Sequence, residues 1–207
     1  MPFSPRIRAI VFDLDGTLVD SALDFDAMRL EMGLSHNQPI LEAIEALADH
    51  DAARCREILH RHEFEGGQRA VLMPGVPEFL AVVRRLGLHT AVWTRNSRAV
   101  ALATLARTGL EFEVVVARDD APAKPDPTAL VDLAGRWDLK PAELLMVGDW
   151  VFDIEAGRNA GARTALYTAG AAPEECEGHE LADWHFASFH DTDALLRWMG
   201  HGECRHS

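Results

Sequence analysis

The sequence predicts an α/β fold built on a parallel sheet, with a helical module inserted after the first strand. Three observations predict it. Short unbroken apolar runs alternate with helical patterns, the stretch from 21 to 73 lacks any strand signal, and polar groups collect just after the apolar runs.

The apolar runs are AIVF at 9–12, LHTAVW at 88–93, FEVVVA at 112–117, LLMVG at 144–148 and RTALY at 163–167. Each is short, partly β-branched and free of strict alternation, which is how strands buried on both faces read. Helical patterns lie between them at 76–86, 97–107, 127–137 and 151–159, and Gly87, Gly109 and Gly161 stand where helix ends need a left-handed residue. A last strand near 184–187 and a helix over 192–199 complete the chain. Strands alternating with helices indicate a parallel sheet.

The insertion carries only helical periodicity, in DFDAMRLEM, PILEAIEALADH and AARCREILHRHEF, with GLSHNQ as a break and GGQ as the expected end. Its position matters, because ligands of open parallel sheets bind outside the carboxyl ends of the strands.

Composition narrows the function classes. Of 207 residues, 20 are Lys or Arg and 33 are Asp or Glu, a formal net charge of −13. That balance disfavours nucleic acid and anionic membrane as partners, since a phosphate backbone is attracted by basic surface. Cys55, Cys176 and Cys204 are scattered singly, without disulfide or zinc-site spacing. No run approaches the roughly 20 apolar residues of a membrane helix, and the run before Asp13 is too short for a secretory signal. A cytoplasmic location is the expectation.

The chemistry collects at the strand ends. DLDGT follows the first run, Thr94-Arg95-Asn96-Ser97 the second, Lys124 in APAKPDP comes after the third, and GDWVFD, with Asp149 and Asp153, closes the fourth. A parallel sheet would bring all four groups to one edge. Asp13, Asp15, Asp149 and Asp153 gathered there would repel and hold protons. A divalent cation removes that difficulty, and carboxylates, a carbonyl and water are the hard ligands Mg²⁺ takes. Asp13 and Asp15, two apart, are expected on one side of an extended segment. Asp149 and Asp153, four apart, share one face if the helix begins at once. Lys124 is one of only two lysines among the 20 basic residues. Lysine supplies a compact point charge where arginine supplies a planar fork. Simpler roles exist for each: an Asp-Gly turn for the first pair, a helix cap for Thr94, though Asn96 or Ser97 suits that position better, and a helix-dipole partner for Asp153.

DLDGT, Thr94, the KP-containing loop and GDWVFD, in this order, resemble the motifs of the haloacid dehalogenase superfamily of hydrolases. The insertion resembles the small helical cap of its phosphoglycolate phosphatase-like branch. The resemblance implies a doubly wound, Rossmann-like parallel sheet core over 1–20 and 74–207, with an inserted α-helical cap over 21–73. It implies a phosphatase that uses Mg²⁺ and acts on a small phosphorylated metabolite. Asp13 resembles the nucleophile that forms an aspartyl-phosphate, and Asp15 the general acid and then base. Asp13, the main-chain carbonyl of Asp15, Asp149 and Asp153 would hold the metal. Thr94, Arg95 and Lys124 would bind the phosphoryl group, with main-chain N–H groups near Leu14, Arg95 and Asn96. Phosphoryl transfer depends mainly on positioning and electrostatics, which such a set supplies. A sugar-phosphate mutase uses the same core; a haloacid dehalogenase or a non-catalytic binding module fits these residues less well.

Two departures stand out. Trp150 occupies a position where related phosphatases often carry a small or hydroxyl residue, and the insertion is short for that branch. Arg29, His60, Arg61, His62 and Arg69 are the basic candidates of the insertion for facing a ligand, none singled out above the others.

Overall fold

A computed structural model describes residues 6–36 and 38–201; Cys204 lies outside them. In chain order the elements are β1 (Ala9–Phe12), β2 (Val19–Asp20), α1 (Phe25–Met32), α2 (Ile40–Glu45), α3 (Asp49–Arg69), β3 (Val71–Leu72), α4 (Val76–Arg85), β4 (His89–Trp93) and α5 (Arg98–Thr108). They continue with β5 (Val114–Val116), α6 (Thr128–Arg136), β6 (Leu144–Gly148), α7 (Val151–Ala160), β7 (Arg163–Tyr167), β8 (Trp184–Phe186) and α8 (Asp193–Trp198).

Six strands form one parallel sheet in the order β5-β4-β1-β6-β7-β8. The first strand is central because its four residues are apolar on both faces: Ile10 and Phe12 enter one core layer with Phe79, Val92 and Val147, while Ala9 and Val11 enter the other with Trp93, Leu130 and Met146. Phe12 pairs with Val92 on one side and with Val147 on the other, so the chain leaving β1 emerges between the tips of β4 and β6. All four residues of β1 are fully buried, and a Val, Ile or Phe side chain buried in this way contributes roughly 1.5–3 kcal/mol. This is the doubly wound α/β fold the sequence predicts. Ser97 caps α5, as its hydroxyl suits, and Gly109 ends that helix at φ 69°.

The helical segment between β2 and β3 has its own cluster, built on Met28, Ile40, Ile44, Cys55 and Leu59. Two expectations are corrected here. The GGQ segment does not stop a helix: α3 runs through it to Arg69. A Cβ on Gly66 would stand 2.6 Å from Leu23 Cδ2, and one on Gly67 2.5 Å from Thr104 Oγ1. Close packing, not chain reversal, is what these glycines serve. The insertion is also not strand-free at its margins, since β2 and β3 form a two-residue antiparallel ladder that brings its entry and exit together. Among the described residues no helix is long and apolar enough to cross a membrane.

Candidate active site

The site begins where β1 runs out of apolar residues. Asp13 follows Phe12 directly, and its N–H donates to the Val147 carbonyl at 2.8 Å, which extends the pairing with β6 by one residue. Gly16 then turns the chain at φ 81°. Thr94 follows β4 and is buried, its N–H donating to Val116 O at 3.0 Å. Asp149 follows β6. The condition for Asp149 and Asp153 to share a helix face is not met: α7 starts at Val151, so Asp149 precedes it and only Asp153 lies in its first turn.

Asp13, Asp149 and Asp153 nevertheless converge, each offering a carboxylate oxygen within 4.8 Å of the others. Lys124 closes the group. Its side chain is 2% exposed, and its Nζ donates to Asp13 Oδ1 and to Asp153 Oδ1, the latter at 2.6 Å. Burial alone would lower the lysine pKa, but the Asp13 and Asp153 carboxylates raise it above the ordinary value, so it stays an ammonium. The second oxygen of Asp153 accepts from the Trp150 N–H at 3.1 Å. Asp149 accepts from the Thr17 hydroxyl at 2.7 Å.

This group is short of positive charge. Burial, opposed by Lys124 and reinforced by Asp153 and Asp149, pushes Asp13 well above the usual carboxylate range. Burial and the neighbouring Asp153 push Asp149 up to about 7. One ammonium against three carboxylates leaves room for a hard divalent cation, and an all-oxygen donor set is the kind Mg²⁺ takes. The residues present therefore fit that ion.

Asp15 lies in the same cavity but stands apart from the three-carboxylate group. Its two oxygens accept from the Ser21 hydroxyl at 2.5 Å and from the Asn96 side-chain amide at 2.7 Å. Burial raises its pKa, with both hydrogen bonds pulling the other way, so it is separated from Asp13 in environment although only one residue lies between them. A raised pKa at a cleft carboxyl suits proton transfer.

Arg95 lines the cavity, but its guanidinium is occupied. It donates to both oxygens of Glu42 in α2, at 2.6 and 2.8 Å, and to Lys124 O at 3.2 Å, and it sits 4.9 Å over the Phe152 ring. Of the basic candidates in the insertion, only Arg29 lines the cavity. Arg61 and His62 bond Glu31, His60 lies against Phe64 and Arg69 faces Glu65. Trp150 is half-exposed at the cavity edge rather than packed beneath the insertion.

Sequence reasoning missed Thr17, Ser21 and Asn96 as holders of Asp149 and Asp15. It also missed the bidentate Arg118–Glu63 pair, at 2.7 and 3.1 Å, which ties the loop after β5 to α3. Thr17 sits inside DLDGT and Ser21 follows it by four residues, so both lay close to the motif; Asn96 and the Arg118–Glu63 pair act across long sequence separations and offered no local signal. A cavity of about 870 Å³ runs from Asp13 and Lys124 to the inner face of α1 and α3.

Comparison with known proteins gives a consistent result. A family model described as haloacid dehalogenase-like hydrolase matches residues 27–161. A phosphoglycolate phosphatase of Cupriavidus necator is 34% identical over 189 residues, covering 79% of this chain and 82% of that protein. An N-acetylmuramic acid 6-phosphate phosphatase of Pseudomonas aeruginosa is 30% identical over 202 residues, covering 86% and 89%. Among solved structures, a hydrolase from Pseudomonas syringae superposes with a TM-score of 0.77 at 24% identity, covering 94% of this chain and 99% of that one.

Proposed function

Because the chain belongs to the haloacid dehalogenase-like hydrolases, we propose that it is a Mg²⁺-dependent phosphatase of a small phosphorylated metabolite, working through an aspartyl-phosphate. The observation that carries this reading is the buried Lys124 joined to Asp13 and Asp153, with Asp15 separately held beside them. A phosphatase needs that division of labour: one carboxylate to attack and one to move protons.

In this reading residues 1–20 and 74–207 are the catalytic core and 21–73 the cap. The Asp13 carboxylate attacks phosphorus and the bond from phosphorus to the ester oxygen breaks. Asp15, protonated at the outset, gives its proton to the departing alcohol oxygen. Asp15 then takes a proton from water as the water oxygen attacks phosphorus. The bond to Asp13 breaks and inorganic phosphate leaves. Lys124 balances charge on the phosphoryl oxygens and fixes Asp13, while the Thr94 hydroxyl and main-chain N–H groups near Leu14, Arg95 and Asn96 hold the group in line. Asp13, Asp149, Asp153 and the main-chain carbonyl of Asp15 would hold Mg²⁺, which when bound supplies positive charge against the developing negative charge. Arg95 contributes through its main chain, since its side chain is bonded to Glu42.

The test is hydrolysis of an aryl phosphate with Mg²⁺ and with EDTA. The wild type is expected to turn over only with the metal, and Asp13→Asn to lose all turnover. Full activity in Asp13→Asn refutes the mechanism. Product analysis with a hexose phosphate separates hydrolysis from internal phosphoryl transfer.

A further inference from the structure

We propose that the alcohol part of the substrate is apolar and ring-bearing, and that esters carrying a second anionic group are refused; this rests on the phosphatase reading above. Two independent observations carry it.

The first is electrostatic. Four basic residues line the cavity, and each is already held by a protein carboxylate: Arg29 by Asp26 at 3.0 Å, Arg95 by Glu42, Arg118 by Glu63, and Lys124 by Asp13 and Asp153. Lys124 belongs to the reacting end. Of the other three, Arg95 and Arg118 are spent on pairs that link the insertion to the core, and Arg29 on a pair within α1. A carboxylate or second phosphate on the leaving group would have to displace one of these partners. Where the displaced group is Glu63, 4% exposed, it would leave a buried carboxylate unpaired. Asp24 and Glu177, also at the wall, add repulsion.

The second is the apolar wall. Beyond Asp15 the cavity is faced by Phe25, Met28, Ile40 and Leu59 from the insertion and by Trp150 and Phe152 from the core. Phe25 is 50% exposed and Trp150 47%, which leaves two large aromatic side chains partly in solvent along one cavity. Aromatic faces placed this way gain most by covering a flat apolar group. The cavity volume of about 870 Å³ also exceeds what a two-carbon leaving group fills.

The experiment uses the whole protein with Mg²⁺ and three esters of simple alcohols: phenethyl phosphate, propyl phosphate and phosphoglycolate. The expected order of kcat/KM has phenethyl phosphate about tenfold above propyl phosphate, as burial of a ring predicts. It stands about a hundredfold above phosphoglycolate, where a charge meets no free partner. Calorimetry with phenethyl phosphonate and phosphonoacetate, which are not hydrolysed, should show the same preference in Kd. Glu42→Gln, which frees the Arg95 guanidinium, should improve phosphoglycolate relative to phenethyl phosphate by about tenfold. Phosphoglycolate turned over as well as phenethyl phosphate, or equal binding of the two phosphonates, overturns the inference. Selective phosphonate binding without hydrolysis of any ester instead refutes the phosphatase reading and supports this one.

Discussion

Gly16→Ala isolates how tightly the turn after β1 is fitted to Asp149. A Cβ at this position would lie 2.3 Å from Asp149 Oδ2 and 2.7 Å from its Cγ. Ordinary carbon–oxygen contact needs about 1 Å more, so the carboxylate must retreat by that amount and leave the Thr17 hydroxyl, now at 2.7 Å. Misplacing a catalytic-site group by about 1 Å costs on the order of 10²-fold in rate. The left-handed backbone, φ 81°, adds a separate stability cost of roughly 1–2 kcal/mol for any residue with a Cβ, or about 2–8 °C in Tm for a chain of this size. Gly109→Ala separates the two effects. Its φ is 69° and a Cβ there meets nothing within 4 Å, so it carries the backbone cost alone. The assay is kcat against an aryl phosphate with saturating Mg²⁺, alongside thermal unfolding. Gly109→Ala should lose stability and keep its rate, whereas Gly16→Ala should lose both. A Gly16→Ala enzyme within threefold of wild-type kcat, or an equal rate loss in Gly109→Ala, refutes the reasoning.

Three further outcomes follow from the geometry. Lys124→Met leaves Asp13 and Asp153 without their buried cation; loss of one partner costs about 3–5 kcal/mol, so unfolding in EDTA should start roughly 6–20 °C lower, with part of the loss recovered by Mg²⁺, and a shift below about 2 °C would contradict the pairing. Asn96→Ala removes the 2.7 Å bond that lowers the Asp15 pKa; kcat should fall by roughly 10–100-fold, and the alkaline limb of its pH profile, where Asp15 loses the proton it must donate, should move to higher pH. His201, 6% exposed, is bonded as a neutral ring, Nε2 donating to Ile7 O at 2.7 Å and Nδ1 accepting from Arg6 Nη2 at 2.8 Å. Burial, opposed by the Ile7 bond and aided by Arg6, holds its pKa below 6.5, so the unfolded chain binds the proton first and stability is lost as pH falls through 6.5 toward the folded value. His201→Gln should flatten that acid dependence in urea unfolding, and an unchanged slope argues against the ring as its source.

The fold was legible where burial on both faces leaves a continuous apolar run: residues 144–148 and 163–167 read as strands and are β6 and β7 at the same limits. FEVVVA shrinks to Val114–Val116, because an edge strand pairs only where its one neighbour reaches it. Two-residue strands such as β2 and β3 carry too few side chains for any periodicity. The meaning of Gly66 and Gly67 depends on Leu23 and Thr104, which no local pattern announces. The same holds at the site. Asp13, Asp15, Thr94, Lys124, Asp149 and Asp153 follow strands and could be anticipated from chain order, and all six line one cavity. Asn96 looked like a helix cap and instead holds Asp15, while Ser97 took the capping role. Arg95 reads as a phosphate ligand until Glu42, 53 residues away, is seen to occupy it.

The ladder between Val19–Asp20 and Val71–Leu72 has a consequence for how this protein can change. Both ends of the insertion meet there, with Val19 opposite Leu72 and Asp20 opposite Val71, while the registers of the six-stranded sheet involve none of these residues. A segment whose ends can be brought to that pair, and that keeps Ser21 to hold Asp15, could replace helices α1 to α3. On the proposed reading, the insertion's share of the alcohol-facing wall, Phe25, Met28, Ile40 and Leu59, lies on a separately exchangeable piece of chain, while Trp150 and Phe152 stay with the core. A graft between Ser21 and Val71 is the natural route to a new selectivity on this reaction centre.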